Sequence, residues 1–183
     1  MQHNKLRRKN TRGSALIEFT LVGIVLLFAL ISTVQMAVGM WNYHTIQYAA
    51  KAAAAYASVH GRSCSTLPNS CSVGMSDVVT VFQNAAVGVP MNKVVLTLTT
   101  TSGAAATCNP VSSCSSNAAW GATWPPAANQ DNAVGKDIYI RADYTFNSAL
   151  AMFIPGKGSV AFGSSAGAGA FDFPAYSHQT ILF

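Results

Sequence analysis

The chain has 183 residues, room for one compact domain plus an appendage but not for two large domains. Half of the residues are apolar and only 9% are charged, against roughly 25% in a typical soluble protein, which argues against a soluble cytosolic enzyme. The net charge of +5 does not mark a nucleic-acid binder: Lys5, Arg7, Arg8, Lys9 and Arg12 all precede the first acid, Glu18, and beyond residue 12 six basic residues balance six acidic ones. A groove for DNA or RNA needs basic residues spread over a folded face.

Residues 1–13 read as a basic cytoplasmic leader. From Ser14 to Trp41 Glu18 is the only charge, and between Phe19 and Met40 only Thr20, Ser32, Thr33 and Gln35 are polar. A bilayer core needs about 20 apolar residues in a helix. The basic flank places the N-terminus in the cytoplasm and the C-terminal part outside. A cleaved secretory signal fits less well, because its apolar core is roughly 7–15 residues long and ends at a small-x-small site. The helix is expected to run on to Gly61, a C-cap candidate, because no proline or turn cluster interrupts residues 14–60. Trp41, Thr45, Tyr48, Ala52, Ala55 and Val59 recur at steps of three and four, which defines one helical face. The segments are therefore 1–13, 14–61 and an extracytoplasmic α+β domain, 62–183.

Within that domain, residues 62–74 read as a loop. Ser76–Ala86 reads as a short helix with Ser76 as its cap and Val78, Val79, Phe82 and Ala85/Ala86 on one side. Lys93–Thr101 is β-branched and reads as a strand. Residues 102–135 read as one long loop. Asp137–Phe146 alternates cleanly, with Ile138, Ile140, Ala142, Tyr144 and Phe146 on one face. Ser159–Phe173 reads as a third strand weakened by glycines. The expected fold is α+β: a long N-terminal transmembrane helix extending into a small antiparallel sheet of three or so strands.

The cysteines are spaced C-x6-C (Cys64, Cys71) and C-x5-C (Cys108, Cys114). Four cysteines allow three pairings. Outside the cytoplasm disulfides are expected, and placement in separate loops favours Cys64–Cys71 and Cys108–Cys114. The spacings are too wide for a typical zinc site. No catalytic motif is present, and Asp77, Asp131, Asp137, Asp143 and Asp172 are the only acids beyond the membrane. Asp137 and Asp143 share a strand face about 20 Å apart, too far for a glycosidase pair. His44 reads as a helix-face residue. Trp120 and Trp124 with Pro125-Pro126 read as a packed loop core rather than an adhesive patch. Enzyme is the weakest class; no catalytic residue, metal, cofactor or small-molecule substrate is expected.

Glu18 is the oddity, because an ionised acid inside a bilayer costs about 2.5–3.5 kcal/mol on insertion scales. A cut after Gly13 would give Ser14 a positive amine and make Glu18 the fifth residue of the mature chain. That acid could pair with its own N-terminus, one turn away, or with a neighbouring subunit's. The pattern of basic residues, Gly13, four mostly small or apolar residues, Glu18-Phe19 and a long apolar helix resembles the class III prepilins of Flp/Tad pilus systems. The extracytoplasmic length makes the chain similar to TadE-like pseudopilins, since the major Flp pilin has no globular domain and TadG-like proteins are much longer. The resemblance implies Gly13, Ser14, Glu18 and Phe19 as processing and assembly residues. It implies prepilin peptidase, other Tad pilins or pseudopilins, the inner-membrane assembly platform and membrane lipid as partners, in a bacterial inner membrane, with a role in adhesion or secretion-related assembly. An uncleaved bitopic anchor with a small binding domain is the alternative, as is a type II secretion pseudopilin. The latter normally places Phe or Met directly after the glycine, where this chain has Ser14. Gln35, Met40 and the Ala-rich stretch after Tyr48 replace the acid, arginine and Gly-Ala-Arg usual in TadE-like proteins.

Overall fold

The computed structural model describes residues 12–61, 73–114, 121–147 and 170–182. The elements in chain order are α1 (Arg12–Ser58), α2 (Met75–Ala85), β1 (Val94–Thr100), β2 (Ala105–Cys108), β3 (Asp137–Asn147) and β4 (Ala170–Thr180). The chain divides into two units, one up to Val38 and one from Gly39.

In the first unit the apolar side chains of α1 lie open, with Leu16 66%, Ile17 68% and Phe19 76% exposed. This helix is long and apolar enough to cross a membrane, as a single-pass anchor requires. Its hydroxyls are satisfied by its own backbone. Thr20 Oγ1 donates to the carbonyls of Leu16 (2.9 Å) and Ile17 (3.0 Å), Ser32 Oγ to Phe28 (2.8 Å) and Thr33 Oγ1 to Leu30 (2.8 Å). Such back-bonding lets a hydroxyl sit where no water is available.

In the second unit four antiparallel strands form one sheet in the order β2-β1-β3-β4. Leu96 pairs with Ala142, and Ala142 with Ala175. Val94, Leu96, Leu98, Ile138, Ile140, Ala142, Tyr144 and Ala175 are buried from the sheet. They form one core with Val78, Val79 and Phe82 of α2 and with Ile46, Ala49, Ala50, Ala53, Ala54 and Ala57 of α1. The alternation expected for residues 137–146 is therefore the observed β3.

Several details differ from expectation. The face marked by Trp41, Tyr48, Ala55 and Val59 is turned to solvent, and the alanine face is buried. Alanine carries little hydrophobic signal, but its small size lets a helix lie close to a sheet. The helix α1 ends at Ser58, not Gly61. A tertiary partner closes it there: the Leu182 N–H donates to the Ser58 carbonyl at 2.9 Å. The helix α2 starts one residue early, with Gly74 rather than Ser76 as its N-cap, and Asp77 Oδ2 accepts from the Gly74 N–H at 2.9 Å. The long loop expected over 102–135 contains β2, reached by a tight turn in which Gly103 adopts φ +87°. A side chain there would be strained. The third expected strand, 159–173, is displaced: β4 runs from 170 to 180, and residues 159–169 lie outside the described ones. Trp124 is buried at 3% exposure, with its backbone N–H donating to the Val73 carbonyl at 2.9 Å, whereas Trp120 lies outside the described residues.

Asp131 ties the β1–β2 turn to the segment before β3. It is 1% exposed. Ser102 Oγ donates to it through a short hydrogen bond, and Thr100 Oγ1 donates at 2.6 Å. The hydroxyls of Ser102 and then Thr100 hold its carboxyl below the ordinary carboxylate range, against the opposing effect of desolvation. Because the folded pKa is lowered, this stabilisation is fully present above the unfolded value of about 3.9. It is lost as pH falls through the folded value. Asp131→Asn is therefore expected to cost about 1.5–3 kcal/mol at pH 7, the usual worth of hydrogen bonds to a charged group. Thermal melts of parent and variant should converge as pH falls below about 4; a gap that persists unchanged in acid would refute the assignment.

Candidate functional site

The residues singled out for processing and assembly lie at the start of α1. The helix already includes Arg12, so the Gly13–Ser14 bond is in its first turn. Gly13 is exposed, and a Cβ built on it would meet nothing within 4 Å. Packing thus imposes no glycine there within the folded chain. Glu18 lies about 7.5 Å further along the axis at 1.5 Å per residue. It is exposed on the helix, as is Phe19. Ser14 and Glu18 are four residues apart, so they share a helical face. No acid occurs in the first turn itself.

Of the cysteines, Cys108 and Cys114 form a disulfide with their Cα atoms 6.0 Å apart. The bond closes the chain between the end of β2 and the short helical turn Val111–Ser113. Both residues are buried in the core. Cys64 and Cys71 lie outside the described residues. Among the described residues no group of three or more His, Cys, Asp or Glu is placed to hold a metal ion.

The acids beyond the apolar segment have structural partners. Asp137 accepts from Thr180 Oγ1 at 2.7 Å and lies 3.3 Å from His178 Nε2. The Thr180 hydroxyl, followed by His178, holds the Asp137 carboxyl below its usual range. Asp143 meets Arg141 through Nε at 2.7 Å and Nη2 at 2.9 Å. Asp172 accepts from Thr145 Oγ1 at 2.9 Å. Asp77 caps α2.

One feature escaped the sequence reading. An open cleft of about 410 Å³ lies between α1 and β4, lined on the helix side by Gln47, Tyr48 and Lys51. Its strand side is β4 from Tyr176 to Gln179. The strand lay outside the expected sheet, so no periodicity linked these residues.

Comparison with known proteins adds one match. The family described as TadE-like protein has a model that matches residues 13–55 of this chain. No curated protein and no solved structure matches it. The matched stretch contains Gly13, Ser14, Glu18, Phe19 and most of α1. The similarity of this chain to the TadE-like family thus spans residues 13–55.

Proposed function

We propose that the chain is a TadE-like minor pilin or pseudopilin of a Flp/Tad-type pilus system, a structural subunit rather than a catalyst. The observation that carries the reading is the family match over residues 13–55, on a helix that starts at Arg12 and exposes its apolar side chains. Prepilin peptidase cuts between Gly13 and Ser14 on the cytoplasmic side of the inner membrane. The apolar part of α1 then holds the subunit in the bilayer with its C-terminal unit outside. Glu18 meets the new amine of its own or a neighbouring chain, which offsets the cost of burying an acid in lipid. The same apolar surface packs against the helices of other Tad pilins or pseudopilins at the assembly platform. The second unit supplies shape and contact specificity in adhesion or secretion-related assembly.

The test is the N-terminus of the protein purified from its native membrane, by Edman sequencing or intact mass. A mature chain beginning at Ser14 is expected. A chain beginning at Met1 in cells with active prepilin peptidase would reduce the protein to an uncleaved anchor carrying a binding domain. A start beyond Trp41 would mean that the apolar helix is a removed signal.

A further inference from the structure

We propose that the cleft between α1 and β4 binds an oligosaccharide that carries carboxylates, such as a chain of uronic acids. The proposal concerns only the unit from Gly39 onward and does not depend on processing at Gly13.

The cleft runs along β4, the outermost strand of the sheet as described. Two tyrosines stand open on its rims, Tyr48 from α1 at 66% and Tyr176 from β4 at 59% exposure. Exposed aromatic rings offer large, rigid surfaces with a polar tip. On the strand side, β3 supplies ring contacts to Tyr176 and to His178. The Arg141 guanidinium lies 5.2 Å from the Tyr176 ring centroid and is itself forked onto Asp143. His178 stacks on Tyr139 with centroids 5.0 Å apart and approaches Asp137 at its Nε2. Thus both β4 rings that border the cleft are braced by the neighbouring strand β3. A binding site gains affinity from rings held in place beforehand.

The polar groups then select the ligand. Gln47, Gln179, Ser177 and the two tyrosine hydroxyls can each donate and accept. Gln47 Nε2 donates to Tyr43 Oη at 3.2 Å, a bond that does not use its side-chain oxygen. A ligand dense in hydroxyls matches such an amphoteric lining. Lys51 adds one positive charge, and among the described residues no carboxylate lies within ion-pair distance of it. No acid lines the cleft. A carboxylate on the ligand meets this charge without competition. Nucleic acid would demand several unpaired cations along a track, and an apolar peptide would demand hydrophobic pockets. Rings for stacking, amphoteric hydrogen bonding and a single cation together fit an acidic sugar chain.

The experiment is isothermal titration of the full chain in detergent micelles with tetragalacturonate, the neutral cellotetraose and the acidic peptide tetraglutamate. Tetragalacturonate is expected to bind with a Kd of about 1 mM or tighter. Cellotetraose and tetraglutamate are each expected to bind at least tenfold more weakly. The variants Lys51→Gln and Tyr48→Ala should each weaken tetragalacturonate at least tenfold. Both side chains are exposed on a helix, so their thermal melts should match the parent. No binding of tetragalacturonate would overturn the proposal, as would binding unchanged in both variants. Equal binding of cellotetraose would overturn the assignment of Lys51 to a carboxylate. Equal binding of tetraglutamate would show attraction to charge alone and would overturn the sugar specificity.

Discussion

Replacing Glu18 by alanine is expected to leave the protein in the membrane at normal levels and to lower the yield of assembled pili at least tenfold. The two effects separate because they have different physical origins. Insertion depends on the apolar segment of α1, whose side chains lie open to their surroundings. Removing an acid from that segment removes a cost of about 2.5–3.5 kcal/mol, so the anchor is strengthened. Assembly on the proposed reading depends on a charge pair between Glu18 and an amine at Ser14 in a medium of low dielectric. Taking away one member of a buried pair costs about 3–5 kcal/mol, because the other is left uncompensated. A loss of that size shifts an association equilibrium by two orders of magnitude or more. Glu18→Gln should fail equally, since it keeps the volume and loses the charge. Immunoblots of the membrane fraction and the mass of sheared pili measure the two effects side by side. Normal pilus yield from both variants would remove Glu18 from assembly.

Replacing Phe82 by alanine is expected to destabilise the second unit by about 3–5 kcal/mol, the usual cost of truncating a buried phenylalanine. The melting temperature of the full chain should fall by about 10 °C, at 2–4 °C per kcal/mol for a unit of this size. Phe82 is fully buried in the core that α2 shares with the sheet. The helix α2 has only 11 residues, too few to persist alone in water. Its buried residues are Val78, Val79 and Phe82, and Phe82 is the largest of them. Loss of near-ultraviolet dichroism at a lower temperature, with membrane association intact, would report this effect. A shift below about 3 °C would mean that the site collapses around the alanine and that α2 is held by other contacts.

Much of this architecture was legible beforehand because the signals were strong and local. The apolar run after Phe19 is long, nearly uncharged and flanked by basic residues, so a membrane-length helix follows from transfer energetics alone. The period-two alternation from Ile138 to Phe146 and the β-branched run from Val94 mark strands that each bury one face. The helix at Val78–Phe82 followed from its spacing. The strand β2 was missed because its four residues, Ala105–Cys108, are small and carry no alternation. The Ser102-Gly103 turn beside it was the available signal. The position of β4 was missed because Pro174 interrupts a largely polar run. At an edge strand a proline is tolerated, because its missing N–H faces no neighbour.

Sequence by itself thus determined the class of the chain: the apolar helix, the basic residues before it, Gly13 and Glu18 at their spacing, and a small α+β unit to follow. These are local or compositional properties, written in consecutive residues. Tertiary structure alone decided which face of α1 is buried, since alanines gain burial only from the sheet laid against them. It also decided what meets the Ser58 carbonyl at the end of α1, the N–H of the distant Leu182. The cleft belongs to the same class of facts. Lys51 and Tyr176 are 125 positions apart, and only the packing of an edge strand beside a helix brings their chemistry together.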